Sequence, residues 1–290
     1  MVVFAGPLFA FSIDLSSFLS SLVAFVLFCF TSSSFYLFND IADVEVDKQH
    51  PIKCQRPIAA GLVTIPTAVG IAVMLLGSSV ILGWLWSPNL GATIIGYGLL
   101  QTTYNLWLKR IVILDIFAIA TGFVLRAFAG ATATGIILSP WFQLCVAMLA
   151  LFLGVEKRKA ELRLTAIRGG KTRSVLKDYS LPLLSRMESV VTTGTAMSYA
   201  LWSSGPQLQG ASTSWMILTW PFVLYGIFRY QLLSDPKEIA RRYTTGLETG
   251  GRSERPEEIL LTDLPILITV VGWGFTVLVI LWLKHQELID

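Results

Sequence analysis

The chain has 290 residues, 54% hydrophobic and 14% charged, with a mean hydropathy of +0.65. Soluble domains carry about 25% charged residues, so the composition excludes a disordered chain, a coiled coil, a collagen-like fibre and an ordinary soluble enzyme. The net charge of +3 gives no argument for nucleic acid as a partner. Cys29, Cys54 and Cys145 show neither paired nor metal-type spacing, so neither a disulfide framework nor a zinc site is expected.

In chain order, the opening apolar run 2–11 is too short to span a bilayer and ends at a polar break over 12–14. It has no basic leader and no small-residue cleavage site, so it does not read as a signal peptide. It reads as the second half of a first helix whose beginning precedes this chain. A spanning helix needs about 20 mostly apolar residues. Eight stretches reach or approach that length: 15–38, 63–86, 90–108, 112–131, 141–155, 183–202, 215–233 and 264–283. Neither an internal repeat nor a linker divides them, and the expectation is a single membrane-embedded domain over 1–290.

The connections alternate in charge. Those around 12–14, 87–89, 132–139 and 203–214 hold no Lys or Arg. The other four, with their helix ends, carry every one of the 22 basic residues except Arg126 and Lys284. The positive-inside rule places these four in the cytoplasm, with the amino end inside and the carboxyl end outside.

The first long cytoplasmic connection begins Asn39-Asp40-Ile41-Ala42-Asp43-Val44-Glu45-Val46-Asp47 and runs through His50-Pro51-Ile52-Lys53 to Arg56-Pro57. If the preceding helix continues past Phe38, then Asn39, Asp43 and Asp47 fall four apart on one face, with Asp40 beside them. Stacked carboxylates repel one another unless a cation holds them, and carboxylates with substrate phosphates are the usual magnesium environment. Lys53 and Arg56 suit a phosphate on the same metal. The plainer alternative is a solvated helix end of mixed charge, and His50 serves equally as a loop cap.

The second long connection begins Glu156-Lys157-Arg158-Lys159-Ala160-Glu161 and continues through Arg163, Arg168, Lys171, Arg173 and Lys177 to Asp178-Tyr179. Membrane topology, or attraction to anionic headgroups, accounts for most of these cations. It does not account for Glu161 or Tyr179. Gly169-Gly170-Lys171-Thr172 is no phosphate-binding loop, because Thr165 stands where that motif needs Gly and no strand precedes it. One charge is read inside a span. Arg126 lies fourteen residues past Val112, about 21 Å along a helix, and an intramembrane Arg defaults to a functional hypothesis. Asp115, eleven residues earlier, shares its face. The alternative is a buried structural pair with groups on other helices.

Asn39-Asp40-x-x-Asp43-x-x-x-Asp47 closing a transmembrane helix resembles the first signature of the UbiA superfamily of intramembrane prenyltransferases. Nearly the whole chain is similar to its decaprenyl-phosphate phosphoribosyltransferase branch. The supports are His50-Pro51-x-Lys53-x-x-Arg56-Pro57-Ile58-Ala59; Leu108-Lys109 followed by Asp115; Gly122-Phe123-Val124-Leu125-Arg126 with Gly130; Lys157-Arg158-x-x-Glu161-Leu162; Arg173-x-Val175-Leu176 with Tyr179; Arg229-Tyr230; and Glu257-Glu258-Ile259-x-x-x-Asp263. Aromatic prenyltransferases of the superfamily carry a second Asp-rich motif where this chain has Lys157-Arg158-x-x-Glu161. The family also opens with an Arg-Pro and Trp-x-Lys-Asn segment. This chain begins just after it, as a misplaced start codon or a truncation would leave it.

The resemblance implies an all-α bundle of nine transmembrane helices, the first one truncated here, with a cavity on the cytoplasmic side of a bacterial or archaeal membrane. It implies transfer of a 5-phosphoribosyl group from phosphoribosyl diphosphate to a polyprenyl phosphate, with release of diphosphate. Mg²⁺, or Mn²⁺, would be held by Asn39, Asp40, Asp43 and Asp47 and stabilise the leaving group. Asp40, Asp43 and Asp47 would be the catalytic set. Lys53, Arg56, Lys157, Arg158 and Arg173 would supply positive charge to the diphosphate and the 5-phosphate. His50, Lys109, Asp115, Arg126, Glu161 and Tyr179 complete the expected substrate-binding set, with Asp115 and Arg126 bordering a lipid-tail cavity. The acceptor phosphate is already an anion, so no general base is required. The other readings are a UbiA-type enzyme using a prenyl diphosphate and an aromatic or lipid acceptor, and a transporter, which would spread charge along the membrane path.

Overall fold

A computed structural model of the chain describes residues 2–4, 15–49, 53–168, 174–205, 210–235 and 262–289. Among these the regular structure is helical throughout. The helices are α1 Leu15–Ala42, α2 Val44–Lys48, α3 Ile65–Trp86, α4 Pro88–Leu106, α5 Leu114–Thr134, α6 Pro140–Arg168, α7 Leu181–Ser204, α8 Trp220–Leu233 and α9 Leu264–His285. α2 is one short turn, and the other eight follow the eight apolar stretches of the sequence. Six described spans are long and apolar enough to cross a membrane. α4 and α7, which carry more polar side chains, fall outside those six. The expected truncated first helix over 2–11 falls mostly outside the described residues; Val2–Phe4 is a 3₁₀ turn.

The helix starts follow a local rule. Thr64, Ser180 and Asp263 each precede an apolar residue and then a proline, and each accepts a hydrogen bond from the backbone N–H three residues on. The side chain satisfies an orphan donor, and Pro66, Pro182 and Pro265 sit where a missing N–H costs nothing. α3 and α4 are joined through Ser87 alone. Their close approach requires Gly91, where a Cβ would stand 2.8 Å from the backbone of Trp84.

Two ends depart from the apolar stretches. α6 runs on from Val155 to Arg168, because Glu156 to Arg168 is built from good helix formers and meets no glycine until Gly169. At about 1.5 Å per residue this 29-residue helix exceeds the roughly 30 Å hydrocarbon layer. The stretch 215–233 opens as a 3₁₀ turn, Ser214–Thr219, and becomes α-helical only at Trp220 with Pro221 in its first turn.

The chain separates into two compact units. The first holds residues up to Leu108 together with Leu125–Ile137. Its core joins Leu27 and Phe28 of α1 to Leu90, Ile94 and Tyr97 of α4 and Ala129 of α5. Within it α1 and α3 are tied by small polar side chains, Thr31 Oγ1 to Ser79 Oγ and Ser34 Oγ to the Ala72 carbonyl, both at 2.9 Å. Such bonds hold helices together where lipid removes the hydrophobic drive. The second unit holds Lys109–Val124 and Leu138–Asp290. One of its cores gathers Ile116, Val155, Val175, Tyr179 and Leu184, and another Phe152, Val191, Ile227, Tyr230 and Ile266.

Candidate active site

In the first unit, the helix carrying the acidic run continues as its spacing requires. Asp43 N–H reaches the Asn39 carbonyl at 2.9 Å and Asp47 N–H the Asp43 carbonyl at 2.8 Å. The helical bonding thus passes through the slight break at Asp43 that divides α1 from α2. Four-residue spacing then places Asn39, Asp43 and Asp47 on one side. The chain returns through the 3₁₀ turn Lys53–Gln55, which brings Arg56 back against the acids.

One atom organises this corner. Arg56 Nη1 donates to Asp40 Oδ1 at 2.7 Å and to Asp47 Oδ2 at 2.8 Å. Lys53 Nζ stands 3.9 Å from the other oxygen of Asp47. Asp47 is 2% exposed, whereas Asp40 is 25% and Arg56 38% exposed. A buried carboxylate needs a partner, and Asp47 has one. Asn39 is half-buried, and Asp43 is exposed with no capping bond from its side chain. Among the described residues no three Asp, Glu, His or Cys side chains gather around one point. Of the four expected metal ligands, two therefore converge. Two carboxylates facing one cationic point fit a divalent ion that completes its shell with water and substrate phosphate. His50 lies outside the described residues, as does Arg173.

Arg126 also belongs to the first unit. Its Nη2 donates to Tyr97 Oη at 2.6 Å, and its guanidinium lies 5.0 Å from the Tyr97 ring centre. Gln101 Nε2 donates to the same hydroxyl at 2.8 Å, and Ser32 Oγ lies 3.3 Å away. The intramembrane cation is thus held by a phenol and a ring face.

In the second unit, Asp115 opens α5 and is fully buried. Its Oδ2 accepts from Arg158 Nε at 2.7 Å and its Oδ1 from Tyr179 Oη at 2.7 Å. Arg158, 1% exposed, also donates through Nη1 to Glu161. Burial, and then the bond to Asp115, push the Tyr179 phenol up from its ordinary value, so it remains a donor. The same oxygen accepts the Ile113 N–H at 2.7 Å. Ile113 has φ +73, a left-handed conformation that strains a β-branched residue. Asp115 and Arg126 occupy one helix but have separate partners, and the interhelical pairing of Asp115 is the structural alternative considered from sequence. Lys109 lies half-buried in the 3₁₀ turn Leu108–Arg110.

Lys157 and Lys159 face different surroundings. Lys159 is buried and bonds to Glu156 at 2.8 Å and to Glu188 of α7. Glu188 also accepts from Gln231 Nε2 of α8 at 2.8 Å. Lys157 is half-buried and joins no ion pair among the described residues. Of the cations in the run, Arg158 and Lys159 are matched by acids inside the protein. Besides Arg126, the stretch 183–202 also carries Arg186 and Glu188, the latter eight residues into α7. Glu188 stands between Met187 and Ser189-Val190-Val191, an acid inside an otherwise spanning stretch, which was the available signal. Tyr97 offered none beyond helical spacing.

Among the described residues the regular structure is all helical, and six helices are long and apolar enough to cross a membrane, which defines the class of polytopic α-helical membrane proteins. The chain belongs to the UbiA prenyltransferase family, whose model matches residues 1–246. It is 38% identical over 264 residues to the decaprenyl-phosphate phosphoribosyltransferase of Corynebacterium glutamicum, covering 90% of this chain and 75% of that one. It is 36% identical over 263 residues to the protein of that name from Mycolicibacterium smegmatis, covering 88% and 78%. In fold it is similar to a UbiA homolog from Archaeoglobus fulgidus bound to DMAPP and Mg²⁺, with a TM-score of 0.66 at 15% identity, covering 95% of this chain and 93% of that one. It is likewise similar to digeranylgeranylglyceryl phosphate synthase, with a TM-score of 0.62 at 16% identity, covering 94% and 91%.

Proposed function

We propose that this protein transfers a 5-phosphoribosyl group from phosphoribosyl diphosphate to a polyprenyl phosphate of the decaprenyl type, with a divalent cation, at the cytoplasmic face of the membrane. The observation that carries the reading is the convergence of Asp40 and Asp47 on one cationic point beside Lys53, in a chain 38% identical to a protein named for that transfer. The placement of Lys and Arg on alternate connections supports the cytoplasmic orientation.

The chemistry asks for little proton movement. The anomeric C–O bond to the diphosphate breaks and its electron pair leaves with the diphosphate. An anionic oxygen of the lipid phosphate forms the new bond to that carbon. Asp40 and Asp47 would hold Mg²⁺ or Mn²⁺, with Asn39 and Asp43 on the same helical side, and the bound ion would supply Lewis-acid stabilisation to the leaving diphosphate. Lys53 and Arg56 add fixed positive charge beside it. In the second unit Lys157, which joins no ion pair among the described residues, would offer its charge to a substrate phosphate, while Asp115, Tyr179 and Glu161 hold Arg158 in place. The Lys157-Arg158-x-x-Glu161 run supports a sugar-phosphate donor over a prenyl diphosphate, whose enzymes carry acids there.

Purified full-length protein incubated with labelled phosphoribosyl diphosphate, Mg²⁺ and decaprenyl phosphate should move label into the organic phase. Label that stays in water while a labelled prenyl diphosphate reacts with an added acceptor would overturn the assignment of donor.

A further inference from the structure

We infer that Arg56 is a positioning residue that exchanges places with the divalent cation, and so couples metal binding to donor binding. The inference rests on the metal site of the proposed function. One nitrogen of Arg56 lies 2.7 Å from Asp40 Oδ1 and 2.8 Å from Asp47 Oδ2, between the two carboxylates. A magnesium ion held by both, at about 2.1 Å from its oxygens, would need the space between them that this nitrogen now fills. Nitrogen and ion cannot share it. A guanidinium does not escape by losing a proton, so it must move away.

The burial pattern says which partner moves. Asp47 is 2% exposed and anchored in a helix, whereas Arg56 is 38% exposed on a returning turn. Lys53 Nζ, at 3.9 Å from Asp47, is beyond hydrogen-bond range and does not take over the bridge. Without metal, Arg56 draws together two acids that would otherwise repel, and preserves their spacing. Once displaced it needs a new anion, and the diphosphate arriving with the metal provides one. Metal alone therefore binds against a competitor, whereas metal with diphosphate binds while the competitor gains a partner. Each should strengthen the other.

The test measures Mn²⁺ affinity by electron paramagnetic resonance on full-length protein in detergent, with and without inorganic diphosphate. For the wild type, diphosphate should tighten Mn²⁺ at least about tenfold, a typical coupling between two ligands. Arg56→Gln should bind Mn²⁺ alone about tenfold tighter than wild type and lose most of the diphosphate effect. Arg56→Lys, which cannot bridge two carboxylates in the same way, should fall between, and it carries the test if Arg56→Gln does not fold. Variants that bind Mn²⁺ alone no tighter than wild type overturn the exchange but leave the metal site standing. Failure of the wild type to bind Mn²⁺ with or without diphosphate overturns both.

Discussion

Arg158 Nε lies 2.7 Å from Asp115 Oδ2, and the two side chains are 1% and 0% exposed. Neither charge has access to water, so each depends on the other. Removing one leaves the other uncompensated, which typically costs 3–5 kcal/mol, whereas replacing both by well-packed apolar groups is often near neutral. Asp115→Ala should therefore lower stability by about 3 kcal/mol, since Glu161 still faces Arg158. Asp115→Leu combined with Arg158→Met should recover most of that. Thermal unfolding in detergent separates the cases, and equal losses for the single and double variants would contradict the pairing.

Tyr179 joins that pair from the loop before α7. Tyr179→Phe removes both the bond to Asp115 and the acceptor for the Ile113 N–H, and should cost about 2 kcal/mol. It should also change the alkaline limb of stability. The folded-state pKa of Tyr179 is raised, so its contribution is complete below the unfolded value of about 10 and declines as pH rises from there toward the higher folded value. Stability measured from pH 8 upward should fall less steeply in Tyr179→Phe than in wild type. Parallel slopes would rule the phenol out.

Ile113 pays for its left-handed backbone at the start of α5 with strain of about 1–3 kcal/mol. Its side chain is 42% exposed, so little burial is lost on truncation. Ile113→Gly should raise the unfolding temperature, corresponding to about 1 kcal/mol after the extra flexibility of glycine. A lowered temperature would show that the side chain contributes more than the conformation costs.

Arg229 and Asp263 pair side-on, with Nε–Oδ1 at 3.1 Å and Nη2–Oδ2 at 2.9 Å, and Asp263 also caps α9 through the Ile266 N–H. Arg229→Ala loses this partly exposed pair, worth about 1 kcal/mol. Asp263→Ala loses the cap as well, for about 1 kcal/mol more. Asp263→Asn should resemble Arg229→Ala in a thermal scan, because an amide oxygen still caps.

Asp47→Ala should reduce phosphoribosyl transfer by at least about 10²–10³-fold, the scale of losing a preorganised charge in a reaction site. Asp43→Ala tests whether the exposed acid joins the metal when substrate is present. Turnover equal to wild type in the radiolabel assay would remove Asp43 from the site.

The helical run of the acidic segment was legible from its spacing, although the two carboxylates that converge are Asp40 and Asp47, seven apart, and Asp43 stays exposed. Once Asn39, Asp43 and Asp47 stand four apart past an apolar run, backbone bonding fixes their shared side, and the structure continues the helix to Lys48. Three helix starts carry a signal that the apolar stretches did not use, the cap and proline at Thr64, Ser180 and Asp263. What spacing does not reveal is which cation in Lys157-Arg158-Lys159 points inward. That depends on Asp115 and Glu188, 43 and 29 residues away in sequence from the cations they bind. The stripe Glu156, Lys159 and Arg163 has helical periodicity, but polar letters conceal a buried face that apolar letters would have announced.

The continuity of α6 from Pro140 to Arg168 makes the membrane part of the rod a gauge for everything beyond it. One residue inserted near Leu153 would turn the whole polar extension by about 100°. That would swing Arg158 away from Asp115 and Lys159 away from Glu188 together, although every amino acid of the motif remained present. The motif is therefore a matter of phase as much as of composition.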